Sequence, residues 1–251
     1  MTETNIMDLK QMKPTEVDRG KISIIIPTLN EAENLKTLLP YLIKHSNNQV
    51  VEILVADADS EDDTEGICQK HGAIFIPCQR KSRAFQMNKA AHQAEGEILY
   101  FLHADSLPPD SFVDDIKESL KLGFGFGCYP FEFDKDHPLL KINAYCTKFD
   151  RLWVRGGDQS MFISRQNFLA LDGFKEDYLI MEEYEFIKRA RKQLSFRIME
   201  KRIRVSARKY EENSYLRVNL ANLTAFILFS IGASQKTLRN TYTRMIKHPK
   251  A

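Results

Sequence analysis

The sequence predicts an α/β fold: a doubly wound, mostly parallel sheet flanked by helices, followed by a C-terminal helical extension. Three observations predict it. Over residues 22–102, short apolar runs alternate with longer stretches of helical spacing. The runs are apolar at nearly every position, as parallel strands covered on both faces must be. Each run then ends in a polar segment, and two of these are acidic, which is where such sheets open onto a ligand crevice.

The elements follow in order. Residues 22–26 (ISIII), 51–56 (VEILVA), 73–76 (AIFI) and 97–102 (EILYFL) read as strands, and residues 30–44, 62–71 and 83–94 read as the helices between them. Beyond Asp105 the order becomes irregular. A helix is expected from about Ser111, an antiparallel strand within the Gly- and aromatic-rich residues 123–133, and a helix over residues 138–151. Residues 220–231 (LANLTAFILFSI) are strongly apolar, but a dozen residues fall short of the roughly 20 that span a bilayer. They read as a packing helix. A helix lying on a membrane surface stays open, because Lys236, Arg239, Arg244 and Lys247 follow. The expected organisation is a flexible extension over residues 1–20, one domain over 21–210, and a helical tail over 211–251, packed on the domain or on a membrane surface.

Composition narrows the function classes. The 36 basic and 34 acidic residues give a net charge of +2, so no global field marks a nucleic-acid binder, and none is expected as partner. Cys68, Cys78, Cys128 and Cys146 form no Cys-x-x-Cys pair, which argues against a zinc or redox module and for reduced thiols in a cytoplasmic setting. The first 21 residues lack the apolar core of a secretory signal.

The strand exits carry the chemistry. After the fourth strand, His103 and Asp105 stand two apart and so project to the same side. A hard cation takes one or two carboxylates and completes its shell with phosphate oxygens and water, a role that suits Asp105. The alternative is a turn-forming Asp before Pro108 and Pro109. After the second strand, residues 57–63 (DADSEDD) crowd carboxylates into one loop. Asp57, right at the exit, is read as a ligand contact, whereas Ser60 or Asp62 can cap the next helix. Residues 79–83 (QRKSR) open a helix whose N-terminus suits phosphate, or are an ordinary solvated charge run. In residues 179–186 (LIMEEYEF) the acids either serve the helix dipole or supply a general base. Arg208 and Lys209 either neutralise a leaving group or simply face solvent.

Together, IIIPTLNEAENL, VADADSEDDT, QRKSRAFQMN, YFLHADSLPP, GGDQSMFISRQNFLALDGF and IMEEYEF resemble glycosyltransferase family 2 over roughly residues 22–208, and more narrowly a bacterial subgroup of small members. The resemblance implies the GT-A fold and a metal-dependent inverting transfer from a nucleotide diphosphate sugar to an acceptor, which may be lipid, saccharide or small molecule. It implies that Pro27, Thr28, Asn30, Glu31, Asp57 and Asp59 line the nucleoside side, flanked by Arg83 and Gln86. It implies that Asp105, with His103 beside it, holds Mg2+ or Mn2+ on the donor diphosphate. Gly157, Asp158 and Gln159 would border the sugar and acceptor, Glu183 with Glu182 beside it would be the base, and Arg208 would reach the phosphates. Two positions depart from the family pattern: His103 replaces the first carboxylate of Asp-x-Asp, and Glu183 replaces an Asp. The Gln-x-x-Arg-Trp motif of processive members is missing, which points to single additions.

Three other readings compete. A degenerate transferase acting as a nucleotide or partner binding module is motivated by the two departures. A nucleotidyltransferase would want a Gly-rich loop after the first strand, and PTLNEAEN has none. A membrane-surface scaffold would rest on residues 220–247, giving peripheral placement at the inner face of the membrane. Donor sugar, acceptor and oligomeric state are left open by the sequence.

Overall fold

The computed structural model describes residues 20–247. The expected loose extension lies outside these residues except for Gly20, which is buried. Strand β1 (Ile22–Thr28) runs through the middle of the protein with all seven residues buried, so its sequence has no room for an exposed polar face. Helix α1 (Ala32–Lys44) crosses to β2 (Val50–Asp57), α2 (Thr64–His71) to β3 (Ile74–Pro77), and α3 (Arg83–Gln93) to β4 (Ile98–Phe101). These match the expected series, with ends shifted by a residue or two. Side-chain alternation explains the continuous apolar runs. Ile24 and Ile26 enter one core with Val55 and Tyr100, while Ile25 enters the other with Leu54 and Leu99.

The second half is less regular. It comprises β5 (Ser106–Leu107), α4 (Phe112–Lys121), β6 (Phe126–Cys128), β7 (Phe131–Phe133), α5 (Pro138–Cys146), two single 3-10 turns (Leu152–Val154 and Gly157–Gln159), β8 (Met161–Ser164), α6 (Arg165–Ala170), α7 (Glu182–Ala190), β9 (Phe196–Ile198) and β10 (Ile203–Val205). The chain then forms α8 (Arg208–Glu212), α9 (Tyr215–Ser230) and α10 (Gln235–Met245).

The main sheet has the order β3-β2-β1-β4-β8-β6-β9, and a smaller one has the order β5-β10-β7. Only β8 runs against its neighbours in the main sheet, pairing antiparallel with β4 and β6. The single strand expected within residues 123–133 is therefore corrected to two strands in different sheets. β6 is antiparallel to β8, and β7 is parallel to β10. The helix expected to reach residue 151 ends at Cys146, where Thr147 turns its hydroxyl back to the Ala144 carbonyl. Strands of two to four residues are too short for a period to register, so β5 and β8 to β10 left no pattern to read. All four cysteines are unpaired, three of them buried. No helix among the described residues is long and apolar enough to cross a membrane.

Candidate active site

The exits of β1, β2 and β4 stand side by side because these strands are hydrogen-bonded neighbours, with Thr28 in register with Asp57. Asp57 is 2 % exposed and its carboxylate is engaged by protein donors: Thr28 Oγ1 at 3.0 Å, Ser60 N at 2.8 Å and the Ser60 hydroxyl. Asn30, in the left-handed region at φ 55°, donates its amide to Ser60 Oγ at 2.7 Å and accepts from Glu61 N at 2.8 Å. The N-cap of α2 is Asp63, which makes no side-chain capping bond, so the expected cap from Ser60 or Asp62 is not formed; Asp62 instead accepts from Thr64 N at 3.2 Å and Ala32 N at 2.9 Å and so lies at the first residue of two helices. Gln86, buried on α3, donates through Nε2 to the Thr28 and Ala56 carbonyls at 2.8 and 2.6 Å. These polar groups fasten two loops to each other. Pro27 is buried inside β1, while Asp59 is exposed at φ 64°.

A second cluster gathers around His103. Its Nδ1 lies 3.6 Å from Asp158 Oδ1 and its Nε2 3.7 Å from Glu183 Oε1. Burial opposes a charge on this imidazole, but the two carboxylates outweigh it and push the pKa up to about 10. Both ring nitrogens are turned to carboxylates, which favour the protonated form. Asp158 is exposed, and against a desolvation penalty His103 holds its carboxyl down at about 2.

Glu182 and Glu183 open α7 directly after Met181, a non-glycine residue at φ 68°. Both are buried, and both Glu182 oxygens and Glu183 Oε1 lack a hydrogen-bond donor. Arg83 Nε stands 2.9 Å from Glu182 Oε1, close enough for an ion pair but out of line for a hydrogen bond. Burial, against Arg83 and with the help of Glu183, raises the Glu182 carboxyl. Burial also penalises Glu183, but Arg83 and His103 overcome it and lower that carboxyl, so it stays ionised. Behind Glu183 and His103 lies a small, mostly apolar cavity walled by Met87, Phe101, Met161 and Phe174, which keeps the local dielectric low.

Asp105 bridges the two clusters. Arg208 Nη2, at the start of α8, lies 3.8 Å from Asp105 Oδ2 and 3.9 Å from Glu31 Oε1. Burial raises the Asp105 carboxyl despite His103 and Arg208, and its side chain is still 30 % exposed to the crevice. Among the described residues no group of three His, Cys, Asp or Glu could hold a metal ion. A single open carboxylate beside an arginine fits a cation that arrives with phosphate oxygens, the mode typical of magnesium.

Gln159 is packed inside, donating from Nε2 to the Val154 carbonyl at 3.0 Å and accepting from the Cys128 thiol. The sequence reading missed the part played by the C-terminal helices. Phe226 and Phe229 of α9 pack on Tyr184, and the Lys209 ammonium, which donates to the Tyr242 hydroxyl of α10, helps hold down Asp158. Only the aromatic run FILF hinted at packing of this kind.

Residues 23–161, more than half of the chain, match Glycosyl transferase family 2. The chain belongs to glycosyl transferase family 2. Among curated family relatives, the dolichol-phosphate mannosyltransferase of Pyrococcus furiosus is 29% identical over 108 residues, which is 41% of this chain and 31% of that protein. The chain thus spans about a third of the length of that relative. Two solved structures share the GT-A fold. S. aureus TarS in complex with UDP-GlcNAc has a TM-score of 0.60 at 18% identity, covering 90% of this chain and 71% of that one. A mannosyltransferase from Pyrobaculum calidifontis in complex with GDP-Man and Mn2+ has 0.61 at 20% identity, covering 81% and 61%. The family match ends at Met161, short of Glu182, Glu183 and Arg208.

Proposed function

We propose that this chain transfers a glycosyl unit from a nucleoside diphosphate sugar to an acceptor hydroxyl, inverting the anomeric centre, with Glu183 as general base. The observation that carries this reading is the buried Glu183 side chain, 3.7 Å from His103 Nε2 and lacking a hydrogen-bond donor on Oε1. A buried charge left without a donor is costly and is kept where chemistry uses it.

In the proposed reaction the acceptor O–H gives its proton to Glu183. The acceptor oxygen bonds to the anomeric carbon from the face opposite the diphosphate. The carbon–oxygen bond to the diphosphate breaks, and its electron pair leaves with the nucleoside diphosphate, whose growing charge meets Arg208. Mg2+ or Mn2+ held by Asp105, when bound, supplies Lewis-acid neutralisation of that same charge. His103 favours the charged form of the Glu183 carboxylate beside it. The donor-binding loops are proposed to be those fastened by Asp57, Asn30 and Gln86, with Glu31, Asp59 and Arg83 at their rim. The known complexes of TarS with UDP-GlcNAc and of the Pyrobaculum mannosyltransferase with GDP-Man and Mn2+ support a donor of this class.

The test is turnover on a panel of nucleoside diphosphate sugars with manganese. Chelator should abolish it, and Asp105→Ala should remove most of it. A variant with full metal-dependent turnover would overturn the assignment. Donor binding without transfer or hydrolysis for any panel member would instead support a binding module, a reading that the replacement of the first Asp-x-Asp carboxylate by His103 favours.

A further inference from the structure

The C-terminal helices leave an apolar face uncovered. On α9, Leu216, Leu220, Leu223 and Ile227 recur at spacings of four, three and four, which puts them on one side of the helix. They are 77, 56, 56 and 50 % exposed, whereas Val218, Ala221 and Ala225, on the opposite side, are buried. Ile231, just past the helix, continues the stripe at 72 %. Asn143 on α5 donates to Asn219 Oδ1 at 3.1 Å and ties to α9 a segment with further exposed apolar side chains, Ile142 and Tyr145 on α5 and Phe149 and Trp153 beyond it. Scattered apolar residues at a surface are ordinary, but a continuous stripe of large side chains along one helix face is not.

Charge says what covers this face. From Asn213 to Lys247 the chain carries no Asp or Glu, against Arg217, Lys236, Arg239, Arg244 and Lys247, all exposed. The two helices that bear most of these cations, α9 and α10, fold back on each other. The pair turns through Gly232 in the left-handed region, and Asn213 donates to the Lys247 carbonyl at 2.9 Å while accepting from its amide at 2.8 Å. On α10 the cations lie away from the buried Leu238. An apolar stripe on a helix pair that carries exposed cations and no acidic residue matches the boundary between acyl chains and anionic headgroups. At sixteen residues α9 is too short to span, so it would lie in the plane of the surface.

We infer that the α9–α10 hairpin docks the protein on an anionic lipid bilayer. The stripe inserts among the upper acyl chains and the cations face the headgroups. Phe226 and Phe229, on the inner side of α9, pack on Tyr184 beside Glu183. Docking therefore sets the acceptor side of the crevice about one helix diameter, roughly 10 Å, from the bilayer. The inference does not depend on turnover.

The experiment is co-sedimentation of the full chain with vesicles of phosphatidylcholine alone, or of phosphatidylcholine with one-third phosphatidylglycerol. Binding to the anionic vesicles is expected, weaker on neutral ones and weakened by salt. The triple variant Leu220→Ser, Leu223→Ser, Ile227→Ser and the double variant Arg239→Glu, Arg244→Glu should each lower the partition coefficient by about tenfold or more. Circular dichroism should remain that of the parent, since every substituted side chain is exposed. No binding to either vesicle overturns the inference, as does binding that the triple variant leaves intact. A self-associated species in sedimentation velocity, dispersed by the triple variant and with no vesicle binding, would assign the face to a second copy of the chain.

Discussion

The two sides of the crevice use the same kinds of side chain in opposite ways. On the donor side, Asp57, Asp62, Asn30 and Gln86 are met by protein donors and acceptors, loop to loop and loop to helix end. On the side proposed for the acceptor, Glu182 and Glu183 are buried, with both Glu182 oxygens and Glu183 Oε1 lacking a hydrogen-bond donor, close to Arg83 and His103. The difference separates a carboxylate that builds a rigid cradle from one kept available for a proton. An acidic motif is not by itself a set of ligand contacts. Where its oxygens are saturated, its first effect is to fix the loop that a ligand will meet.

The largest expected effect lies on the acceptor side. Glu183→Gln keeps the shape but cannot take a proton, so kcat should fall by about 10²–10⁴-fold with donor affinity held. Steady-state kinetics beside a donor thermal shift would check this, and a variant that instead loses donor affinity at unchanged kcat breaks the contrast between the two sides. On the donor side the loss should appear as stability. Asp57→Ala strips partners from three donors, one of them the buried Thr28 hydroxyl, and should cost about 3 kcal/mol, readable in urea unfolding. An unchanged midpoint with weakened donor binding would make Asp57 a ligand contact after all.

A smaller effect of opposite sign is expected at Glu182. Because its carboxyl is raised, the folded state holds that proton more tightly than the unfolded chain does. The stability this brings is complete below the ordinary Glu value of about 4.3 and is lost as pH climbs through the raised value. Glu182→Gln should thus match the parent near pH 4 and exceed it at neutral pH by about 1 kcal/mol, with Arg83, half exposed, rehydrating. A variant less stable than the parent at both pH values would show that the ion pair with Arg83 dominates. The smallest effect should be at Asp59, exposed at φ 64°. Asp59→Gly relieves a left-handed backbone and should gain no more than about 1 kcal/mol in thermal unfolding. A loss of donor affinity in that variant would sharpen the comparison by marking Asp59 as the one acid of its loop directed at the ligand.

Much of this was legible beforehand, and unevenly so. The four parallel strands and three crossover helices announced themselves because burial on both faces forces unbroken apolar runs, and every residue of β1 is hidden. The motif segments also lay in readable order, so that His103, Asp105, Asp158 and Glu183 were already under suspicion. Their grouping was not readable. Nothing in the spacing says that His103 bridges Asp158 and Glu183, residues 55 and 80 positions further along.

By itself the sequence determined the α/β class, the polar strand exits and the supply of acids and arginines, since these follow from local period and composition. Only the tertiary structure decided which carboxylates protein donors engage and which keep buried oxygens without one, that His103 lies between Asp158 and Glu183, and that the last helices pack beside Glu183 while leaving an apolar face bare. The reason is that burial and electrostatic pairing depend on distances between segments remote in the chain. A residue's type fixes what it can do, and its neighbours across the fold fix what it does.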